Sequence, residues 1–211
     1  AGISHDVRTP LTRLRMEIEL ASIGPEVRAN LVDDIERIDS VVRQFIDYAR
    51  AAALQGSDTD DAAPAVREAV ERWQNDGLRI SLDCPAHLPW RGRRVDVDRL
   101  LDNLLSNIAR YARSHGEIDG NLRLSSLDGT LSLQLEDYGE GVPEHELSRL
   151  IEPFARLEAH RSDREGTGLG LAIVNRIVLR HHGSLELHRA ISGGLAVRLQ
   201  LPSARPVGVT A

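Results

Sequence analysis

Cysteine is almost missing from this 211-residue chain. Cys84 stands alone, so no disulfide can close within one copy, and a reducing compartment fits. Aromatic side chains make up only 3%. Leu, Val, Ile and Ala therefore have to build the core. Basic residues are outnumbered, 26 against 32 acidic ones, for a net charge of −6. That balance excludes general nucleic-acid binding, which needs a basic face. No apolar run approaches the roughly 20 residues that cross a bilayer, and no signal peptide is visible. Internal repeats and low-complexity tracts are also missing. What is present is an apolar fraction of 41%, enough for a real core rather than a disordered chain. The length allows one or two domains. The chain opens on Ala1 with a helical pattern already running at Ile3, so a segment of a longer protein is expected.

Two stretches read as helices. Ile3, Val7, Leu11, Leu14, Ile18 and Ala21 recur at three- and four-residue steps. Ser22-Ile23-Gly24-Pro25 breaks the pattern, and Pro25 suits the first turn of a new helix. Val27, Leu31, Ile35, Ile38, Val42, Phe45 and Ala49 then repeat it. Two helices cannot bury both stripes well, so two hairpins should pair as a four-helix bundle in a homodimer. Pro10 lies inside the first pattern and predicts a kink just after His5.

Gln55 to Asp61 is polar and without period, which reads as a linker. The expected division is a hairpin over 1–54, a linker over 55–63, a second domain over 64–204 and a loose tail over 205–211. Within the second domain, Pro64–Gln74, Val97–Ala112 and Leu169–His181 read as helices. Leu78–Leu82, Arg94–Val97, Ser184–His188 and Leu195–Leu201 read as strands. Asn121–Leu127 and Thr130–Glu136 should form a hairpin around Asp128-Gly129. The mixture lacks regular β-α alternation, so an α+β two-layer sandwich is predicted.

The chemistry starts at Ser4-His5-Asp6-Val7-Arg8-Thr9-Pro10-Leu11. Helical geometry puts His5 and Thr9 on one face. Neutral imidazole attacks phosphorus well when its other nitrogen is held and its proton accepted, and Asp6 can do that. Thr9 can hold a water near a modified His5. A lone His-Asp pair is more often a solvated helix start; the full His-Asp-x-x-Thr-Pro pattern reverses that weighting. Asn103 and Asn107 lie one turn apart on an otherwise apolar helix, where their amides need partners and alone could bridge loops. Asp137 ends an alternating strand and meets Gly139 and Gly141, an ordinary turn exit or a carboxylate set against a base. Gly166-Thr167-Gly168-Leu169-Gly170 leads into a helix, as a flexible hinge or a cradle for phosphate. It is neither a dinucleotide fingerprint nor a Walker A loop, because its spacing and ending differ. Between Val142 and Glu165 the sequence is polar, as a mobile lid would be. His181-His182 suits a helix C-terminus better than zinc, and Arg91, Arg93 and Arg94 read as a solvated loop.

Those motifs, in that order, resemble bacterial sensor histidine kinases of two-component systems over nearly the whole chain. Ser4–Leu11 resembles the H box, Asn103–Tyr111 the N box, Asp137–Gly141 the G1 box, Glu152-Pro153-Phe154-Ala155-Arg156 the F box and Gly166–Gly170 the G2 box. Gln44-Phe45-Ile46-Asp47-Tyr48 resembles the second helix of the osmosensing member EnvZ. The resemblance implies a dimeric phosphotransfer hairpin followed by a GHKL (Bergerat) ATPase fold, shared with gyrase and Hsp90. It implies ATP and Mg²⁺ as cofactors, with Asn107 on the metal, Asp137 on adenine, and Asn103, Arg110, Tyr111, Arg156 and the Gly166–Gly170 loop at the nucleotide. Ile108 stands where alanine is commoner, which changes packing only. His5 would take the γ-phosphoryl group and pass it to an aspartate on a response-regulator receiver domain. Thr9 implies phosphatase activity toward that regulator. The full-length protein is expected to be membrane-anchored, with this part at the cytoplasmic face of the bacterial inner membrane. A nucleotide-sensing pseudokinase and a clamp-type ATPase are the alternatives. Intact His5, Asp6 and Asn107 argue against the first, and the hairpin carrying His5 argues against the second.

Overall fold

The computed structural model describes residues 2–51, 59–112, 118–155 and 167–202. The chain divides into two compact units, Ala1–Arg50 and Ala51–Ala211.

The first unit holds α1 (Gly2–Leu20) and α2 (Pro25–Ala51). Between them the Arg28 guanidinium donates to the Ala21 carbonyl at 2.9 Å, which occupies one of the carbonyls orphaned where α1 ends. Pro25 opens α2, where a missing N–H costs nothing, and Glu26 in the first turn complements the helix dipole. Arg15 of α1 pairs with Glu36 of α2 at 3.1 Å. α1 runs without interruption through Pro10. Leu11, Ile35 and Ile46 are buried, but Leu14, Leu31, Ile38 and Phe45 from the same stripes are exposed.

The second unit begins sooner than its sequence indicates. Thr59–Asp61 forms β1, paired antiparallel with β3 (Pro89–Arg91), and α3 (Ala62–Asn75) follows at once. Residues 52–58 lie outside the described residues, and residues 59–63, the end of the stretch expected as a linker over 55–63, form β1 and the first turn of α3. Asp61 explains why. Its Oδ1 accepts from Ala63 N at 2.9 Å as the N-cap of α3, and from Leu88 N at 2.8 Å across the ribbon. Neither contact leaves an apolar pattern to read.

The main sheet has five strands in the order β2-β4-β5-β7-β6. These are β2 (Ile80–Asp83), β4 (Gly120–Leu127), β5 (Thr130–Asp137), β6 (Ser184–Arg189) and β7 (Leu195–Pro202). β2 and β4 run parallel, and the other neighbours are antiparallel. Leu122, Leu124, Leu131, Leu133, Leu135, Val197, Leu199 and Leu201 point to one buried face. Arg123, Ser125, Arg198 and Gln200 alternate with them on the exposed one. Helices α3, α4 (Arg94–Tyr111) and α6 (Gly170–Arg180) pack as the second layer. The predicted sandwich is thus the observed one. Asp128 and Gly129 both take positive φ (49° and 76°), the two-residue turn the Asp-Gly pair requires. Short α5 (Glu144–Leu147) and a 3₁₀ turn (Ser148–Ile151) occupy the first part of the expected lid, and residues 156–165 of it lie outside the described residues.

Every one of the 26 basic residues is arginine, and several act as forks that lock strands. Arg79 binds buried Asp119 through both its backbone N–H (3.0 Å) and its guanidinium (2.6 Å), tying the start of β2 to β4. Arg94–Val97, expected as a strand, is the first turn of α4 instead. Asp96 N donates back to Arg93 O at 2.9 Å, and four alternating residues are too few to resist that turn.

Candidate functional site

The apolar side of α4 sinks Leu100, Leu101, Leu104, Leu105 and Ile108 into the core. That orientation leaves Asn103 and Asn107 half-buried at the edge of the helix. The Asn103 amide donates to Arg99 O at 2.7 Å. Asn107 makes no side-chain hydrogen bond among the described residues. Both face the start of α6: a Cβ at Gly170 would lie 3.3 Å from Asn103 Oδ1 and 3.5 Å from Asn107 Oδ1. No side chain caps that helix end. Its first N–H groups and the positive end of its dipole therefore remain available to an anion, beside two amide oxygens that could serve a hard cation.

The approach to Gly170 is a tied loop. Thr167 Oγ1 accepts from Leu169 N at 3.3 Å, and Leu169 is fully buried. Gly168 has φ +70°, and a Cβ there would come 2.5 Å from Ala155 O, so only glycine fits. Phe154 N donates to Gly168 O at 2.9 Å. Phe154 is itself 58% exposed, so its ring is not a plug in the core. These contacts hold Phe154 and Ala155 against the loop that precedes α6. Arg156 and Gly166, both predicted site residues, lie outside the described residues.

Asp137 closes the other end of the site. Its Oδ1 accepts two backbone N–H groups, from Gly139 at 3.0 Å and Leu195 at 3.0 Å. Oδ2 has no partner among the described residues and remains for a ligand. Burial pushes the Asp137 carboxyl above its ordinary range, against the two N–H bonds that favour its ionised form. Gly139 packs on the end of α4, where a Cβ would come 2.7 Å from Tyr111 O. Gly141, at φ +75°, lies against the Gly193 carbonyl. Arg110 and Tyr111 are exposed beside this corner. The fold therefore gathers Asn103, Asn107, Tyr111, Asp137, Gly139, Gly141 and Gly168–Gly170 around one surface. Sequence reading missed Gly194. A Cβ there would overlap both the Asp137 carbonyl and Oδ1. The Gly193-Gly194 pair announces a turn, but nothing local announces its neighbour in another strand.

In the first unit, α1 carries His5, Asp6 and Thr9. Thr9 is exposed. The side chains of His5 and Asp6 lie outside the described residues. One continuous helix keeps positions 5 and 9 one turn apart on a single face.

Away from the nucleotide corner, α4 and α6 are joined by a buried cluster. Asp96 Oδ2 meets Arg180 Nη2 at 2.5 Å and His181 Nε2 at 3.2 Å. His181 also lies against Trp90, with ring centroids 4.9 Å apart. Burial alone would raise the Asp96 pKa, but the bonds from His181 and Arg180 outweigh it and hold the carboxyl below its usual range. His181 therefore has a carboxylate partner that its sequence neighbourhood did not offer. The solvated loop expected for Arg93 and Arg94 is also corrected. Arg94 pairs with Glu68 and Asp98, and Arg93 is half-buried with its Nε and Nη2 out of contact with solvent.

The second unit is thus a two-layer α+β sandwich with one corner lined by amide, carboxylate and glycine backbone groups. The chain belongs to the histidine kinase-, DNA gyrase B- and HSP90-like ATPase family, whose profile matches residues 92–205. Residues 1–54 match the His Kinase A phospho-acceptor domain, and the pair together is the core arrangement of sensor histidine kinases. The sensor histidine kinase GtrS of Pseudomonas aeruginosa is 32% identical over 205 residues, covering 96% of this chain and 41% of that protein. The histidine-protein kinase BaeS of Escherichia coli is 32% identical over 221 residues, covering 97% and 46%. The chain thus spans less than half the length of these curated relatives. Among solved structures, the mycobacterial sensor histidine kinase MprB is similar with a TM-score of 0.59 at 27% identity, covering 71% of this chain and all of that one. Full-length ShkA shares the fold over 98% of this chain and 46% of its own, with a TM-score of 0.74 at 22% identity.

Proposed function

We propose that this chain is the catalytic core of a two-component sensor kinase, and that it phosphorylates its own His5 from ATP. The observation that carries this is the uncapped start of α6 facing Asn103 and Asn107, in a chain whose first 54 residues match a phospho-acceptor domain. In this reading Asp137 Oδ2 accepts from the adenine amino group, while Gly139 and Gly141 let the backbone approach the ring. Gly166 to Gly170 cradle the phosphates with backbone N–H groups, and Arg110, Tyr111 and Arg156 close around the nucleotide. Asn107 would hold Mg²⁺ through its amide oxygen. A single protein oxygen suits that ion, which keeps water and phosphate in its shell. The ion would neutralise phosphate charge.

The His5 imidazole forms a P–N bond to the γ-phosphorus as the P–O bond to ADP breaks, and the ring proton passes to Asp6. Positioning and electrostatics supply most of the acceleration. The phosphoryl group then moves to an aspartate of a response regulator, and Thr9 orients the water that later removes it. The exposed stripe of Leu14, Leu31, Ile38 and Phe45 supports a second copy as the partner of α1 and α2. Among the described residues no helix is long and apolar enough to cross a membrane. We infer that the full-length protein is anchored elsewhere in its chain, with this core at the cytoplasmic face of the inner membrane.

γ-Labelled ATP should label the intact chain through an acid-labile, base-stable bond. His5→Gln should abolish labelling while leaving nucleotide affinity intact. Label retained in that variant would overturn the assignment.

A further inference from the structure

The base-reading corner has a third wall that no motif marks. The β6–β7 turn grips Asp137 at two points. Ser192 Oγ donates to the Asp137 carbonyl at 3.3 Å, and Leu195 N donates to Oδ1 at 3.0 Å. Gly194 passes directly over the residue, where any Cβ would overlap Asp137 O and Oδ1. The turn is tight: Ala190 N donates to Gly194 O at 2.8 Å, Gly193 N donates to Ala190 O at 2.9 Å, and Gly193 takes φ +101°.

The register explains the special role of this contact. The β5–β7 ladder ends at the pair Glu136–Ala196. One step further, the Leu195 N–H meets the Asp137 carboxylate rather than a backbone carbonyl. The other donor to Oδ1, Gly139 N, lies two residues along the same turn and would move with Asp137. Leu195 is therefore the anchor that fixes the carboxylate plane relative to the rest of the sheet. With Oδ1 saturated, Oδ2 is the oxygen left to face a base.

We propose that Ser192–Gly194, with the Leu195 N–H, is a positioning element for base recognition. It sets the orientation of Asp137 and hence the preference for a purine bearing an exocyclic amino group. This rests on the adenine-reading role proposed for Asp137. It adds residues that touch no substrate and act through that carboxylate.

The test compares two nucleotides on the full chain: ATP, and purine riboside 5′-triphosphate, which lacks only the amino group. The wild-type protein should bind ATP roughly tenfold or more tightly, the contribution of a hydrogen bond to a charged acceptor. In Gly194→Ala that preference should fall close to unity, while affinity for the purine analogue stays within about threefold of wild type. Ser192→Ala, at an exposed position, removes only the grip on the carbonyl. It should lower the preference by about threefold, and it decides the matter if Gly194→Ala does not fold. Equal weakening of both nucleotides in the deciding variant, or a fully retained preference, overturns the positioning role. A wild-type protein without any preference overturns the adenine reading itself, and this proposal with it.

Discussion

The two units solve the problem of an aromatic-poor core differently. The ATPase unit seals Leu105, Leu122, Leu169, Ile177 and Leu199 to complete burial between a sheet and its helices. The hairpin buries Leu11, Ile35 and Ile46 but leaves Val27, Leu31, Ile38 and Phe45 roughly 40–50% exposed on the same stripes. One unit closes on itself, and the other leaves apolar surface open for the second copy proposed above. The difference fits the proposed division of labour. A nucleotide pocket has to be held to fractions of an ångström, and a rigid sandwich does that. A phosphoacceptor has to meet a kinase domain and then a regulator, and a dimeric helical stalk exposes it to both.

That contrast can be broken at its strongest point first. Asp96→Ala leaves Arg180 and His181 buried without their shared carboxylate, and should cost about 3–5 kcal/mol of unfolding free energy in denaturant titrations. The loss should be confined to the ATPase unit, with the chain still dimeric. The same residue sets an acid limit. Its folded pKa lies below the ordinary aspartate range, so its stabilisation is complete above that range and is lost as pH falls through the lower folded value. Asp96→Asn should remove that part of the acid dependence.

A smaller effect is expected at the nucleotide. Asp137→Asn should weaken ATP roughly tenfold or more while leaving dimerisation and the unfolding midpoint nearly unchanged. Calorimetric titration and sedimentation check the two halves of that statement. The smallest effect belongs to the hairpin. Ile38→Ala should cost about 1 kcal/mol per dimer, read as a raised dimer dissociation constant, with ATP affinity untouched. An unchanged dissociation constant would mean that this stripe is covered by something other than a second copy.

What could be read from the sequence follows the range of the forces involved. Helices α1, α2, α4 and α6 show themselves through three- and four-residue steps, and the β4–β5 hairpin through Asp128-Gly129, because periodicity and turn chemistry are local. The Gly and Asn motifs were legible for the same reason. β1 was not, since three residues held by a cap and a short ribbon carry no period. Asp96 with His181 was not either, for 85 residues separate them and only the packing of α4 on α6 brings them together. Gly194 belongs with these. Its glycine is required by a carboxylate whose partner N–H at Leu195 lies 58 positions away, and a lone sequence shows the turn without the neighbour.

The central claim is that ATP bound by the second unit phosphorylates an imidazole in the first. Mass-spectrometric mapping of the intact, magnesium-supplied chain after incubation with ATP tests it most directly. The account predicts a phosphoramidate on His5 in the wild type and none in Asn107→Ala. A wild-type chain that binds ATP yet carries phosphate only on hydroxyl side chains, or none at all, would contradict it.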